Sequence, residues 1–423
     1  MTLTDPTTRD PRLHDQPDVV DPMVLVDAAG YAAHGYPHAA WEALRTQSPV
    51  HWCEPPGYRP FWAITRHEDV RFLSTHPERF LNAPRSILFP EALELATGGG
   101  SQGRSLINMD PPEHRDYRAL AAPFLKPSAI RSLEATIRAI TVDLLEAAPQ
   151  DAPFDFVFDL AAYHPLQVIC GVLGAAPEDQ DLVLRIANTV FGIEDPDYGP
   201  QLAALAMEMM EYYRRLKQDR LAQPTDDLYS ALVHSQIDGQ PIGDMELISY
   251  FLILTSAGHD TTRNALAGGL LALLEHPDQL ELLREDLSRC GTAADEIIRW
   301  TTPVIQFCRT SVDDLELGGR QIKAGETMAM FYPSANRDEA VFEAPHEFRV
   351  TRDPNPHLAL GVGEHYCLGA HLARTEIRIL LEELVPRLER IELAGAVERT
   401  AAAFVGGVKH LPVRWSLQST AAR

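Results

Sequence analysis

Basic residues and cysteines are both scarce in this chain of 423 residues: 37 Lys and Arg stand against 60 Asp and Glu, and there are five cysteines. The formal charge of −23 repels polyanions at long range, which argues against nucleic acid and anionic membrane surfaces as partners. Cys53, Cys170, Cys290, Cys308 and Cys367 are odd in number, scattered and without paired metal-type spacing. That argues against a disulfide framework and suits a reducing compartment. No run of roughly 18 apolar residues is present and no apolar leader, so we expect no membrane anchor and a cytoplasmic location. A Ser/Gly-rich or Pro-rich linker and a repeat of fixed period are missing too. One large domain over residues 21–423 is therefore expected, behind a flexible tail over residues 1–20 rich in Asp, Pro, Thr and Arg.

What the chain does have is apolar periodicity near 3.6. It predicts helices at about 38–47, 111–122, 128–147, 158–173, 178–190, 201–221, 227–236, 243–275, 277–288, 293–301 and 367–385. Short β-favouring runs fall at about 61–65, 306–312, 315–323, 327–331 and 411–416. The fold class expected is mainly α with a small β component. The helix predicted from Gly243 to His276 would run on the order of 50 Å and, being apolar on most faces, should be central and buried.

Polar and small residues interrupt that helix at Ala257-Gly258-His259-Asp260-Thr261-Thr262. Glycine in mid-helix forfeits about 1 kcal/mol against alanine, so something must compensate. Ala257 and Gly258 would let a flat ligand approach the backbone, and the Thr261 hydroxyl can bond the Ala257 carbonyl and loosen the ladder. A helix start with Asp260 or Thr261 as N-cap is the alternative. Asp110-Pro-Pro-Glu113 reads as a capped helix start, which puts His114 and Arg118 four apart on one face, able to reach one anion or to lie solvated. Glu296 and Arg299 share a helix face, a spacing that usually means a solvated pair. Cys367 stands between a loop punctuated by Gly361 and Gly363 and a predicted helix start, whose free N–H groups and dipole would favour an ionised sulfur.

The stretch His357-Leu-Ala-Leu-Gly-Val-Gly-Glu-His-Tyr-Cys367-Leu-Gly-Ala-His-Leu-Ala-Arg374 resembles the cysteine-ligand loop of the cytochrome P450 superfamily, Phe-Gly-x-Gly-x-His-x-Cys-x-Gly-x-x-Leu-Ala. Gly361, Gly363, His365, Cys367, Gly369, Leu372 and Ala373 match; Leu360 replaces the aromatic residue, a departure that bears on redox tuning more than on ligation. The resemblance implies heme b (iron protoporphyrin IX) held by Cys367, with Gly369, Ala257 and Gly258 against the macrocycle and His114, Arg118, Arg309 and His365 on its propionates. It assigns proton delivery to Asp260 and Thr261 and makes Glu296 and Arg299 a buried lock bracing the cysteine loop.

The activity implied is insertion of one oxygen atom of O2 into a C–H bond, with electrons from a ferredoxin and its NAD(P)H-dependent reductase. Arg115 and Arg374, with Arg378, would form a basic docking patch for that donor. Ser256, Val304, Phe307 and Val405 are candidates for the substrate pocket, along with the Gly-rich loop at 82–108. Met109–His114, Ala257–Thr262, Pro333–Asp338 and Phe404–Gly407 resemble the bacterial branch that hydroxylates monoterpene alcohols such as terpineol. A monoterpenoid or alkylbenzene leads as substrate, with a steroid, polyaromatic or fatty acid as alternatives. A peroxide-driven peroxygenase and a non-catalytic heme-based gas sensor are the competing functions.

Overall fold

The computed structural model describes residues 16–96 and 105–418. Fifteen α-helices occur among them: α1 (Ala28–His34), α2 (His38–Gln47), α3 (His67–Thr75), α4 (Glu91–Ala96), α5 (Glu113–Leu125), α6 (Pro127–Ala147), α7 (Tyr163–Leu173), α8 (Gln180–Phe191), α9 (Leu202–Ala222), α10 (Leu228–Val233), α11 (Asp244–Glu275), α12 (Pro277–Glu285), α13 (Cys290–Thr301), α14 (Tyr332–Ala335) and α15 (Ala370–Leu384).

The strands are β1 (Val50–Cys53), β2 (Phe61–Ile64), β3 (Phe80–Leu81), β4 (Phe154–Asp155), β5 (Gln236–Ile237), β6 (Gln240–Pro241), β7 (Gln306–Ser311), β8 (Leu315–Leu317), β9 (Arg320–Ile322), β10 (Thr327–Phe331), β11 (Leu388–Leu393), β12 (Glu398–Arg399), β13 (Val408–His410) and β14 (Pro412–Leu417). At 53% helix and 13% strand, the described residues are mainly α, as expected.

The 32-residue α11 is the axis of the molecule. It is buried along most of its length because apolar residues cover nearly all its faces, and it packs on α7, α8, α13 and α15. Helix α15, which follows the cysteine loop, lies against α6 and α13, so that loop is seated on the core. The larger sheet has the order β1-β2-β10-β7-β3, with only β2 and β10 parallel. In it Arg309 of β7 stands opposite Met328. A three-stranded sheet, β11-β14-β4, sends Phe154, Leu388, Val413 and Trp415 into a core cluster shared with α11, α13 and α15.

Three local expectations change. The run at 315–323 is a hairpin rather than one strand, because Gly318 and Gly319 take positive φ (57° and 74°) and turn the chain in two residues. The helix expected over 227–236 ends at Val233, and the chain goes on into the β5–β6 hairpin. Asp110 does not cap α5: its carboxylate accepts from Asn82 N (2.8 Å) and Ala83 N (3.1 Å), tying the distant 82–83 segment to the helix start. Of the expected tail, residues 1–15 lie outside the described residues. Gln16 pairs with both backbone groups of Trp52 (2.8 and 2.9 Å).

Candidate functional site

The cysteine loop is held from several directions. Leu358 N–H donates to Asn336 Oδ1 (2.7 Å) and Cys367 N–H to the Leu360 carbonyl (2.8 Å). Gly363 takes φ +77°, and a Cβ there would stand 2.4 Å from the Ser74 carbonyl, so only glycine lets the loop close on α3. Helix α15 begins at Ala370, three residues beyond the cysteine. Burial dominates and pushes the Cys367 thiol up; the Gly369 N–H, Arg118 and Arg374 oppose it. The Gly369 N–H and the two guanidinium groups thus act on this sulfur against its desolvation.

Beside the loop, four cationic or potentially cationic side chains converge. The rings of His114 (α5) and His365 lie 4.0 Å apart, centroid to centroid. Arg118 Nη2 donates to the Tyr366 carbonyl (2.5 Å). Arg309 is 4% exposed, and its one side-chain hydrogen bond goes to the Cys308 carbonyl (2.8 Å). No carboxylate of the described residues lies within ion-pair distance of it. Burial therefore holds its pKa below the ordinary value.

Burial pushes His365 down to about 2, with Arg309, His114 and Arg118 adding to the shift. His114 is lowered by burial too, partly offset by Glu364 at 3.5 Å. A buried guanidinium without a counter-ion is costly, and a ligand carrying carboxylates would supply what the cluster lacks. The residues present thus fit the acidic edge of a heme.

Helix α11 carries the small and polar run read from the sequence. Thr261 Oγ1 donates to the Ala257 carbonyl (2.8 Å), as its spacing predicted. Asp260 is buried inside the helix run rather than capping a terminus, with His259 Nδ1 at 2.9 Å and Arg263 Nη1 at 3.3 Å from its Oδ1. Gly258 departs from expectation. A Cβ there would lie 3.0 Å from Ile169 of α7, so its missing side chain admits a neighbouring helix, not a flat ligand.

Next to Ala257, an apolar cluster gathers Val304, Phe307 and Val405 with Phe404, Phe191, Ile253, Ile87, Phe89, Ile107 and Val190. The isolated bridge between Val304 and Val405 and the edge contact of Phe307 with Phe404 (5.4 Å) hold two distant chain segments together here. Ser256, one residue before Ala257, is fully buried, and its hydroxyl has no partner among the described residues. The sequence reading missed Val190 and Phe191 of α8 and Ile253 of α11. Ile253 had a signal, since it sits four residues before Ala257 on the same helix face.

Glu296 and Arg299 are both 0% exposed, so the solvated alternative is excluded. Arg299 donates twice to Glu296 (2.7 and 2.8 Å) and to the carbonyls of Asn336, Pro345 and Glu347. Glu296 also accepts from Arg349 N, Arg352 Nε and Asn355 Nδ2. Two expected docking cations are already engaged: Arg115 pairs with Glu364 (2.8 Å) and Arg374 with Asp295 (2.7 Å).

A family model described as Cytochrome P450 matches residues 200–394. The chain is 38% identical to Cytochrome P450-terp of Pseudomonas sp over 407 residues, 92% of this chain and 95% of that protein. It is 36% identical to the Steroid C26-monooxygenase of Mycolicibacterium smegmatis, over 88% of this chain and 89% of the relative. Among solved structures, CYP108D1 from Novosphingobium aromaticivorans superposes with a TM-score of 0.87 at 34% identity, covering 95% of this chain and all of that one (100%). Mycobacterium marinum cytochrome P450 CYP268A2 in complex with pseudoionone superposes with a TM-score of 0.86 at 32% identity, covering 96% of this chain and 100% of the other.

Proposed function

Because the chain belongs to the cytochrome P450 family and is thus a heme b-dependent monooxygenase, we propose that it hydroxylates a small hydrophobic guest, a monoterpenoid or alkylbenzene, using electrons from a ferredoxin and its NAD(P)H-dependent reductase. The observation that carries the substrate reading is the apolar cluster of Phe89, Phe191, Phe307, Phe404, Val304 and Val405 beside Ala257. It offers aromatic and branched aliphatic surface and few polar handles, which selects a compact apolar guest. The name of the Pseudomonas relative and the pseudoionone held by the Mycobacterium marinum protein point the same way.

When bound, the heme supplies dioxygen activation and oxygen-atom transfer. Cys367 provides the sulfur ligand, while Arg118, Arg309, His114 and His365 take the propionates. Glu296 and Arg299 keep the segment before the loop in place. Thr261 and Asp260 hold and pass protons on the guest's side of α11. The donor docks on the face of the cysteine loop, where Arg115 keeps most of its surface exposed (64%) although it is paired.

No helix of the described residues is long and apolar enough to cross a membrane. The test is a spectral titration of the purified holoprotein with terpenoids, alkylbenzenes, steroids and fatty acids, followed by NADH-driven turnover of the tightest binder. A hydroxylated terpenoid or alkylbenzene is the expected product. Tighter binding and turnover of a steroid or fatty acid would overturn the substrate class and leave the monooxygenase standing.

A further inference from the structure

Asp260 is not alone in the polar run of α11, and its neighbour has a hydrogen-bonding problem with few solutions. His259 is 0% exposed, and both its ring nitrogens face oxygen acceptors: Nε2 lies 2.9 Å from the Ala162 carbonyl and Nδ1 lies 2.9 Å from Asp260 Oδ1. A carbonyl can only accept, so the Nε2 contact requires a proton on Nε2. The Nδ1 contact then needs one proton of its own, carried either by the ring as imidazolium or by the carboxyl as an acid.

The other carboxyl oxygen is differently placed. Oδ2 has no hydrogen-bond partner among the described residues and is not among the sealed, unpartnered atoms, so it keeps a small accessible surface although the residue is only 2% exposed. Asp260 is thus anchored through one oxygen and free at the other.

The remaining charged and titratable neighbours come from α11, the α8–α9 loop and α15. Arg263 reaches Oδ1 from one turn along α11 and is itself held by Asn188 of α8. Tyr198 of the α8–α9 loop interacts electrostatically with Asp260. Glu376 of α15 feels the charge of His259 and is paired with His164 of α7 at 3.2 Å.

We propose that His259 is a positioning residue for the proton-delivering carboxyl, sharing one proton with Asp260 across the Nδ1–Oδ1 contact and making that proton available for delivery from the Oδ2 side. In each delivery the imidazolium loses a proton to Oδ1, and the carboxyl, now neutral and held less firmly by Arg263, turns and releases a proton from the Oδ2 side. The pair is left one proton short and is refilled from solvent, so no electrons or other atoms move in this step. The proposal rests on the assignment of Asp260 to proton delivery.

The test uses holoprotein labelled with 15N-histidine in its diamagnetic ferrous carbon monoxide form. The expected result is a strongly deshielded proton bridging His259 Nδ1, absent from His259→Gln and from Asp260→Asn. An Nδ1 that carries no bridging proton in the wild-type protein overturns the proposal, and this measurement does not depend on any variant folding.

A second arm follows NADH-driven oxygen consumption with ferredoxin, reductase and α-terpineol as probe. Glutamine keeps a donor for the Ala162 carbonyl but cannot carry the shared proton, so His259→Gln should be slower by about tenfold, with more peroxide released. If Asp260→Asn is slow and His259→Gln runs at the wild-type rate, this inference falls and the proposed function stands. If both run at the wild-type rate, the assignment of Asp260 itself fails.

Discussion

Replacing Glu296 by glutamine exchanges one carboxylate oxygen for an NH2 group and should be among the most damaging single substitutions in the chain. Its carboxylate is the only one within ion-pair distance of both Arg299 and Arg352 among the described residues, and these guanidinium groups are 0% and 6% exposed in their side chains. A third buried arginine, Arg337, is held down to about 9 by burial and then by Arg299, so the neighbourhood is already short of negative charge.

The glutamine amide cannot neutralise these cations, and its NH2 group turns donors toward donors. Leaving a buried pair with one partner charged and alone costs about 3–5 kcal/mol. That is comparable with the whole stability of a typical domain, about 5–15 kcal/mol, and amounts to two to nearly four orders of magnitude in the folded ratio at about 1.4 kcal/mol per tenfold. The loss should reach the cysteine loop, because Arg299 holds the Asn336 carbonyl while the Asn336 side chain holds Leu358 N–H.

Urea unfolding of the holoprotein, read together with heme absorbance per mole of protein, measures both effects. Arg214→Ala, which breaks the exposed pair with Glu211, should leave both readings unchanged and serves as the control. A loss for Glu296→Gln below about 1 kcal/mol, the scale of a surface pair, with full heme content would refute the reasoning.

Further outcomes can be set down more briefly. Arg309→Met should stabilise the heme-free chain, by removing an unpaired buried cation, and weaken heme binding by about 10–100-fold, the worth of one charged hydrogen bond; a shift of both in the same direction would contradict the role given to Arg309. Glu194, pushed up to about 7 by burial, holds its proton more tightly folded than unfolded. Its contribution is therefore most favourable below pH 4.5 and is lost as pH rises from 4.5 to 7, by up to about 3 kcal/mol, so melting temperatures of Glu194→Gln and wild type should diverge across that window and run parallel above it. Arg115→Glu should slow reduction by ferredoxin most at low salt, and an unchanged rate and salt dependence in stopped-flow reduction would remove Arg115 from the docking face.

Sequence alone determines the features in which chemistry is written into short spacing. The Gly361, Gly363 and Cys367 pattern, the Thr261-to-Ala257 bond and the three-residue step from Glu296 to Arg299 are local, because backbone freedom and helix pitch set them within a turn or two. The long apolar run of α11 announced a central helix for the same reason. The tertiary structure decided what depends on surroundings. Burial, which no spacing encodes, makes Glu296 and Arg299 a sealed pair rather than a solvated one. Direction in space decided the rest: Gly258 faces α7, while Val190, Phe191 and Ile253 gather with residues from distant parts of the chain because α8, α11 and the Val304–Val405 bridge meet there. Which side chains share a cavity is settled by long-range packing, whereas which atoms can do the chemistry is settled by the residues themselves.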